Sequence, residues 1–528
     1  MFFSTSFLYV SIKSVMDGVY GDTISKELAY SMSMMLDCVD NENMDTCSIH
    51  LVPEKLRKSK VEAYKPQVVS IGPLHQGKRM ELQHMEKIKW RCLLHLLNRA
   101  SVGADEALKK CGSAMLKLDK VVRASYSVDK LEFDSSDLAK CMVLDGCFLL
   151  ELLISGSTEL DNKINNTSSD SSPGGHVIRG GKVLSDLTLL ENQIPLVVLE
   201  LLSSKLFPHV FGGYGDTHGD ILIQQLALSI LGYDYASLGS RCGKLNVYNF
   251  LELVHAFIDN EKGGTKRDVK IPIDSGEDES NRRLKLNRCA NELLVAGVTI
   301  KGKINAQMED SNIAAMNRFD MRITFSDGKL EIPQLRITET TEAKWRNFIA
   351  WEVNKNKVEK YNGERALSED MSEARTRFHF LYYAWFFQSL ICSVDDVKLL
   401  LDREVIWVAV DKKGRRIKSN EDLVDLFCKM SEGVSESDVE ETDMDPWISE
   451  VILQLNSYRS TLCTTATFRI MWHVLKGSLT LFCYNWMRSF RLLRRDYIPT
   501  RWKLIAVIAA AAGVILTAAQ TFFSARGD

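Results

Sequence analysis

Asp145, Glu191 and His75 are the side chains of this chain whose types and settings could do acid–base chemistry. Asp145 stands inside MVLDGCFLLELL (142–153) and Glu191 inside DLTLLENQIPLVVLELL (186–202), so both carboxyls are expected in apolar surroundings. Two carboxyls brought together there could form a pair for proton transfer, one protonated and one charged. The competing use is structural. Pro195 has no N–H to donate and strains any helix running back to residue 191, freeing carbonyls that the Asn192 and Gln193 carboxamides can bond.

The remaining motifs exclude more than they propose. Gly297-Val298-Thr299-Ile300-Lys301-Gly302-Lys303 follows most of a phosphate-binding loop, but Ile304 stands where the Mg²⁺-binding hydroxyl belongs. No G-x-S-x-G or H-E-x-x-H occurs, and the third glycine after Gly213-x-Gly215 is Gly219, one residue late for a dinucleotide fingerprint. His84, Cys92 and His95 can share a helix surface but do not make a ligand set. No catalytic, cofactor-binding or metal-binding residue is therefore assigned, no cofactor is expected, and a non-enzymatic protein is. A hydrolase-like enzyme of unrecognised type, built on Asp145, Glu191 and His75, is the alternative, and a membrane scaffold is a third reading. Twelve cysteines without a C-x-x-C, with Cys92, Cys147 and Cys392 on apolar helical faces, read as buried reduced thiols. A net charge of −3 gives no reason to expect a nucleic-acid partner.

The elements that must position these groups are mainly α-helical, with a small β element and one C-terminal transmembrane helix. Residues 1–47 form an N-terminal extension in which Phe2 to Val10 has neither the basic flank nor the cleavage site of a signal peptide. A globular region spans 48–430. It opens on a non-helical stretch set by Pro53, Pro66, Gly72, Pro73 and Gly77. A helix from about Arg79 to Asn98 follows, with Met85, Ile88, Cys92, Leu93, Leu96 and Leu97 inward and Lys87, Lys89 and Arg91 outward. Residues 155–182 read as a mobile insertion holding the glycosylation sequons of Asn165 and Asn166. The β element is expected within 267–340: a strand at Val269–Ile273, and a hairpin of 321–325 and 330–337 around Asp327-Gly328, with Pro333 on an edge strand. Trp345, Phe348, Ile349 and Trp351 then open a helix. Residues 431–446 make an acidic linker, and 447–503 an amphipathic basic helical region in which Arg488, Arg491, Arg494 and Arg495 would contact anionic lipid headgroups.

Leu504 to Phe523 carries no charge, and twenty helical residues span about 30 Å, the thickness of a bilayer core. The expectation is a single-pass, tail-anchored protein of the plasma membrane or an endomembrane. The basic flank before the span and the short tail 524–528 would leave the N-terminal region in the cytosol. Ala509, Gly513, Thr517 and Thr521 recur every four residues and would let two spans associate.

Ser48-Ile49-His50-Leu51-Val52-Pro53, Ala63-Tyr64-Lys65-Pro66, Val69-Ser70-Ile71-Gly72-Pro73, Met85-Glu86 and Lys89-Trp90-Arg91 resemble the opening signature of the plant domain of unknown function 247 family, also called uncharacterised protein family 0481. The resemblance continues through 142–153, 186–202, 290–301, 330–352, DDVKLLL from Asp395 and QTFFS from Gln520, nearly the full length. His50-Leu51, Leu74 and the region of Thr338-Glu339 depart from the family pattern, which puts surface contacts there in doubt. The resemblance implies a recognition or signalling protein with an unidentified protein partner. Some grass members of the family are linked to pollen-side self-incompatibility.

Overall fold

A computed structural model describes residues 47–77, 82–128, 131–164, 178–235, 243–261, 285–304, 318–365, 377–434, 439 and 446–458, and scattered positions between 505 and 517. Packing divides the chain into two units, Met1–Leu293 with Thr299–Tyr458, and Leu294–Val298 with Arg459–Asp528. The described helices of nine or more residues are α1 (Gln83–Arg99), α2 (Ala104–Lys117), α3 (Ser135–Ser155), α4 (Leu196–Leu206), α5 (Thr217–Ile230), α6 (Phe250–Glu261), α7 (Thr341–Arg365), α8 (His379–Leu390), α9 (Val394–Asp402), α10 (Asn420–Lys429) and α11 (Pro446–Ser457).

The first unit is arranged around α3. Asp134 caps it by accepting the Asp137 N–H at 2.7 Å. From Leu138 to Ile154 every residue but Lys140 is buried, because α1, α2, α4 and α5 pack around it. Burial of a Leu, Ile or Phe side chain contributes roughly 1.5–3 kcal/mol. Leu144, Phe148, Leu149, Leu150, Leu152, Leu153 and Ile154 supply that along one helix. The same helix also buries Asp145 and Glu151, and an unpaired buried charge costs several kcal/mol. Both are paired: Asp145 with Lys89 at 2.7 Å, and Glu151 with Arg99 and with His95 at 3.1 Å. Gly146 lets α4 approach closely, since a Cβ there would lie 2.5 Å from Leu202 Cδ1.

The apolar stretch 186–202 is not one strained helix. A short helix ends at Asp186, residues 187–194 form turns, and α4 begins after Pro195, which sits in extended backbone. Proline is compatible with that position because helix-terminal N–H groups lack intrahelical partners anyway.

Two small sheets complete the unit. β1 (Thr299–Lys303) runs parallel to β3 (Lys329–Pro333), which pairs antiparallel with β2 (Thr324–Ser326). Asp327 and Gly328 both take positive φ, 51° and 73°, as the two-residue hairpin turn demands. β3 is the central strand rather than an edge, and Pro333 is tolerated because it lies beyond the end of β2. β4 (Leu335–Ile337) pairs parallel with β5 (Ile406–Val408). The glycine-rich stretch around Gly302 is strand β1, not a phosphate loop, and Gly302 N–H donates to the Arg403 carbonyl at 2.7 Å. The strand expected at 269–273 lies outside the described residues.

The transmembrane helix expected at 504–523 is corrected. Among the described residues no helix is long and apolar enough to cross a membrane. In that stretch Ile505, Ala509, Ala510, Ala512, Gly513, Val514, Leu516 and Thr517 are described, as helical and exposed. A span needs about twenty continuous apolar helical residues. The long helix α3 carries Asp137, Lys140, Asp145 and Glu151, and α7 is densely charged. The single-pass membrane localisation, with its cytosolic N-terminal orientation, loses its support with the span.

Candidate functional site

Among the described residues of the first unit, two buried polar centres gather candidate acid–base or metal-binding groups. The first gathers the segment 48–73, which holds a short α-helix at Glu54–Ser59 and a 3-10 turn at Val61–Tyr64 and runs irregularly from Lys65 to Pro73, around Pro66 and Pro73. There its backbone groups bond to side chains instead. Asp186 accepts the N–H groups of Gln67, Val68 and Val69 at 2.7–3.1 Å. Asn192 accepts Ile71 N–H at 2.7 Å and donates to the Val69 and Asp186 carbonyls. Gln193 donates to the Leu187 and Leu189 carbonyls at 2.6 and 3.0 Å and accepts Phe250 N–H. These two carboxamides therefore do bond carbonyls.

Asp145 accepts Gly72 N–H at 2.8 Å and pairs with Lys89, which also donates to the Ser70 carbonyl at 2.5 Å. Gly72 has φ +76°, and a Cβ there would lie 2.4 Å from the Gln193 carbonyl oxygen, so only glycine fits. Glu191 accepts Val52 N–H at 2.8 Å and pairs with Arg57, and His75 Nε2 lies 3.6 Å away. Asp145 and Glu191 thus serve different cations and different backbone amides. Lys89, read as outward-facing, is 1% exposed. Burial favours loss of its proton, but Asp145 and Glu86 outweigh that and raise its pKa. His50 is also buried rather than a surface contact; burial, helped by Lys355, pushes its imidazole down to about 4.

The second centre joins α6, α7 and α8. In α6, FLELVHAFIDNE puts Phe250, Leu251, Leu253, Val254, Phe257 and Ile258 into the core and His255 and Asp259 one turn apart. His379 is the first residue of α8. Its position is set by Glu352 of α7, which accepts the N–H groups of His379, Phe380 and Leu381 at 2.6, 2.8 and 3.0 Å. A buried carboxylate thereby supplies the cap that Phe378 cannot, at the electropositive helix end. Asp259 then meets both rings, Oδ2 at 3.2 Å from His255 Nδ1 and Oδ1 at 2.6 Å from His379 Nε2. The other nitrogen of His255, Nε2, lies 3.0 Å from the Arg377 carbonyl oxygen and 3.5 Å from Glu352. The ring rests against Trp351, with centroids 4.6 Å apart.

His255 and His379 are 3% and 2% exposed, whereas the Asp259 side chain is 36% exposed. Burial alone would lower the His255 pKa, but Asp259 and Glu352 raise it to about 10. Against the opposing effect of burial, His255 and His379 hold Asp259 far below the usual carboxylate range. The three ligand-type atoms lie within 4.8 Å of one another, which makes His255, Asp259 and His379 the described group able to hold a metal ion.

Sequence reasoning did not find this centre. The i, i+4 pair His255/Asp259 was its visible half, but His379 lies 120 positions from Asp259 and no motif links them. Of the helix considered instead, His84 is exposed and Cys92 is fully buried. Cys392 is exposed past the end of α8. Of the expected packing face, Ala509, Gly513 and Thr517 are described; Thr517 Oγ1 donates to the Gly513 carbonyl of its own helix at 2.7 Å. Leu504, Thr521, Phe523, Arg488, Arg491, Arg494 and Arg495 lie outside the described residues, as do Asn165 and Asn166.

The sequence model of a family described as DUF247, plant protein of unknown function, matches residues 49–516. The chain is 29% identical over 337 residues to the UPF0481 protein At3g47200 of Arabidopsis thaliana, a match covering 60% of this chain and 62% of that relative. It is 33% identical over 156 residues to a second UPF0481 protein of that plant, At3g02645, covering 29% of this chain and 26% of the relative. The chain thus spans less than two thirds of the length of either relative. No solved structure matches it significantly.

Proposed function

The chain belongs to the DUF247 family of plant proteins of unknown function, and from that premise we propose that it is a non-enzymatic recognition or signalling protein. The observation that carries this reading is the use made of the acid–base candidates. A general base needs a lone pair within reach of substrate. Asp145 and Glu191 are 2% and 4% exposed, and their oxygens hold Gly72, Lys89, Val52 and Arg57. These residues rigidify a helical scaffold whose surface loops are free to vary and to meet a protein partner.

Plants lacking the protein and supplied with Asp145→Asn, Glu191→Gln or His75→Ala test this. Each variant should keep its biological function when it accumulates normally, or lose function together with abundance. A variant that accumulates and folds like the wild type yet is inactive would overturn the reading.

A further inference from the structure

We propose that His255, Asp259 and His379 form a binding site for one divalent transition-metal ion of the zinc class, fastening α6 to the start of α8. The donor set is two imidazoles and one carboxylate, a combination suited to zinc and to its cobalt substitute. In a tetrahedral site with metal–ligand bonds near 2.05 Å, neighbouring ligand atoms lie about 3.3 Å apart. The two contacts to Asp259, 3.2 Å from His255 and 2.6 Å from His379, open by less than an ångström, and ligand atoms up to 4.8 Å apart close by about 1.5 Å, to hold an ion. Asp259 offers one oxygen to each ring, so the carboxylate already stands between the two imidazoles.

The surroundings are those of a supported site. A metal-binding imidazole is held by a hydrogen bond from its other ring nitrogen. His255 Nε2, with Nδ1 turned to the site, is within such a bond of the Arg377 carbonyl. His379 is fixed through its backbone by Glu352, which adds negative charge beside the site. The two rings are buried while Asp259 reaches solvent, giving a path for the ion and leaving room for water as a further ligand. Without an ion the same groups form an ion-paired cluster, and the experiment separates that state from metal binding.

The full chain, stripped with chelator, is titrated with Zn²⁺ against a chromophoric chelator and separately with Co²⁺. One equivalent should bind, and Mg²⁺ should not compete. Asp259→Asn and His379→Gln should weaken binding at least 100-fold, while His209→Ala, at a surface histidine, should leave it unchanged. Because the first two variants can misfold, the wild-type Co²⁺ form supplies an independent readout. Its proton NMR spectrum should show two paramagnetically shifted, solvent-exchangeable imidazole N–H signals. Failure of the folded wild type to bind one equivalent, unaltered binding in folded Asp259→Asn and His379→Gln, or fewer than two such signals would each overturn the site. None of these outcomes depends on whether the protein is an enzyme.

Discussion

Lys89 donates from a fully enclosed position to Ser70, Glu86 and Asp145. Removing one partner of a buried ion pair leaves the other charged and unsolvated, at about 3–5 kcal/mol. Lys89→Met should therefore lower unfolding free energy by that amount in urea titrations, and adding Asp145→Asn should restore part of it. A second residue effect follows from Glu200. Burial, the nearby Asp220 carboxylate and only partial compensation from Lys244 push its carboxyl up to about 7. A carboxyl with a raised folded-state pKa holds its proton more tightly in the fold. Its contribution is full below the unfolded value near 4.5 and is lost as pH rises through about 7. The melting temperature of the wild type should accordingly fall relative to Glu200→Gln between pH 4.5 and 7. A constant difference across that range would contradict the assignment. The sequence concealed Lys89 for a physical reason: helical periodicity places a residue on a face but cannot show a carboxylate 56 positions later waiting on that face.

Elements whose determinants are local were legible. Asp327-Gly328 announces a hairpin turn, and the i, i+3, i+4 pattern of α1 marks its buried face through Leu97. Elements ended by distant groups were not. α8 has no capping side chain of its own and begins where Glu352 of α7 meets its N–H groups. The phosphate-loop likeness dissolved because Gly302 serves a backbone contact: a Cβ there would lie 2.0 Å from the Glu404 carbonyl oxygen. For the uncharged run 504–523 hydropathy predicts a span, whereas among the described residues no helix is long and apolar enough to cross a membrane. Two glycines give a graded test of packing. At Gly146 the obstructing atoms are ends of Leu202 and Val198, which can yield, so Gly146→Ala should cost about 1–3 kcal/mol. At Gly302 the obstruction is backbone, and Gly302→Ala should cost more, separating β1 from residues 403–405. Equal melting temperatures for the two variants would remove the distinction between yielding side chains and fixed backbone.

At the scale of the first unit, the segment 48–73 is threaded through partners from far along the chain. Asn249 donates to the Ser48 carbonyl, Asn354 to that of Leu51 and Asn347 to that of Ala63, each at 2.8–2.9 Å. Asp186, Asn192 and Asp145 then take the N–H groups of Gln67 to Val69, Ile71 and Gly72 in order. The prolines made the irregular backbone of residues 65–73 readable, but not the short helices at Glu54–Ser59 and Val61–Tyr64, nor these partners, which are separated from the segment by 73 to 303 positions. Backbone without helix or strand ordinarily exchanges its amide protons early, through local opening. The amides of Gln67, Val68, Val69, Ile71 and Gly72 donate to side chains rooted in the core, so this part cannot open without exposing several buried polar groups at once. The amides of Val69, Ile71 and Gly72 should exchange as slowly as those of α3, with the free energy of global unfolding. Asn192→Ala leaves the Ile71 N–H and the Val69 and Asp186 carbonyls without their partner. At about 1–3 kcal/mol for each buried group left unsatisfied, it should cost about 3 kcal/mol or more and make these amides exchange faster than those of α3. Early exchange in the wild type would instead mean that the segment is a surface strap, laid over the helices rather than built into them.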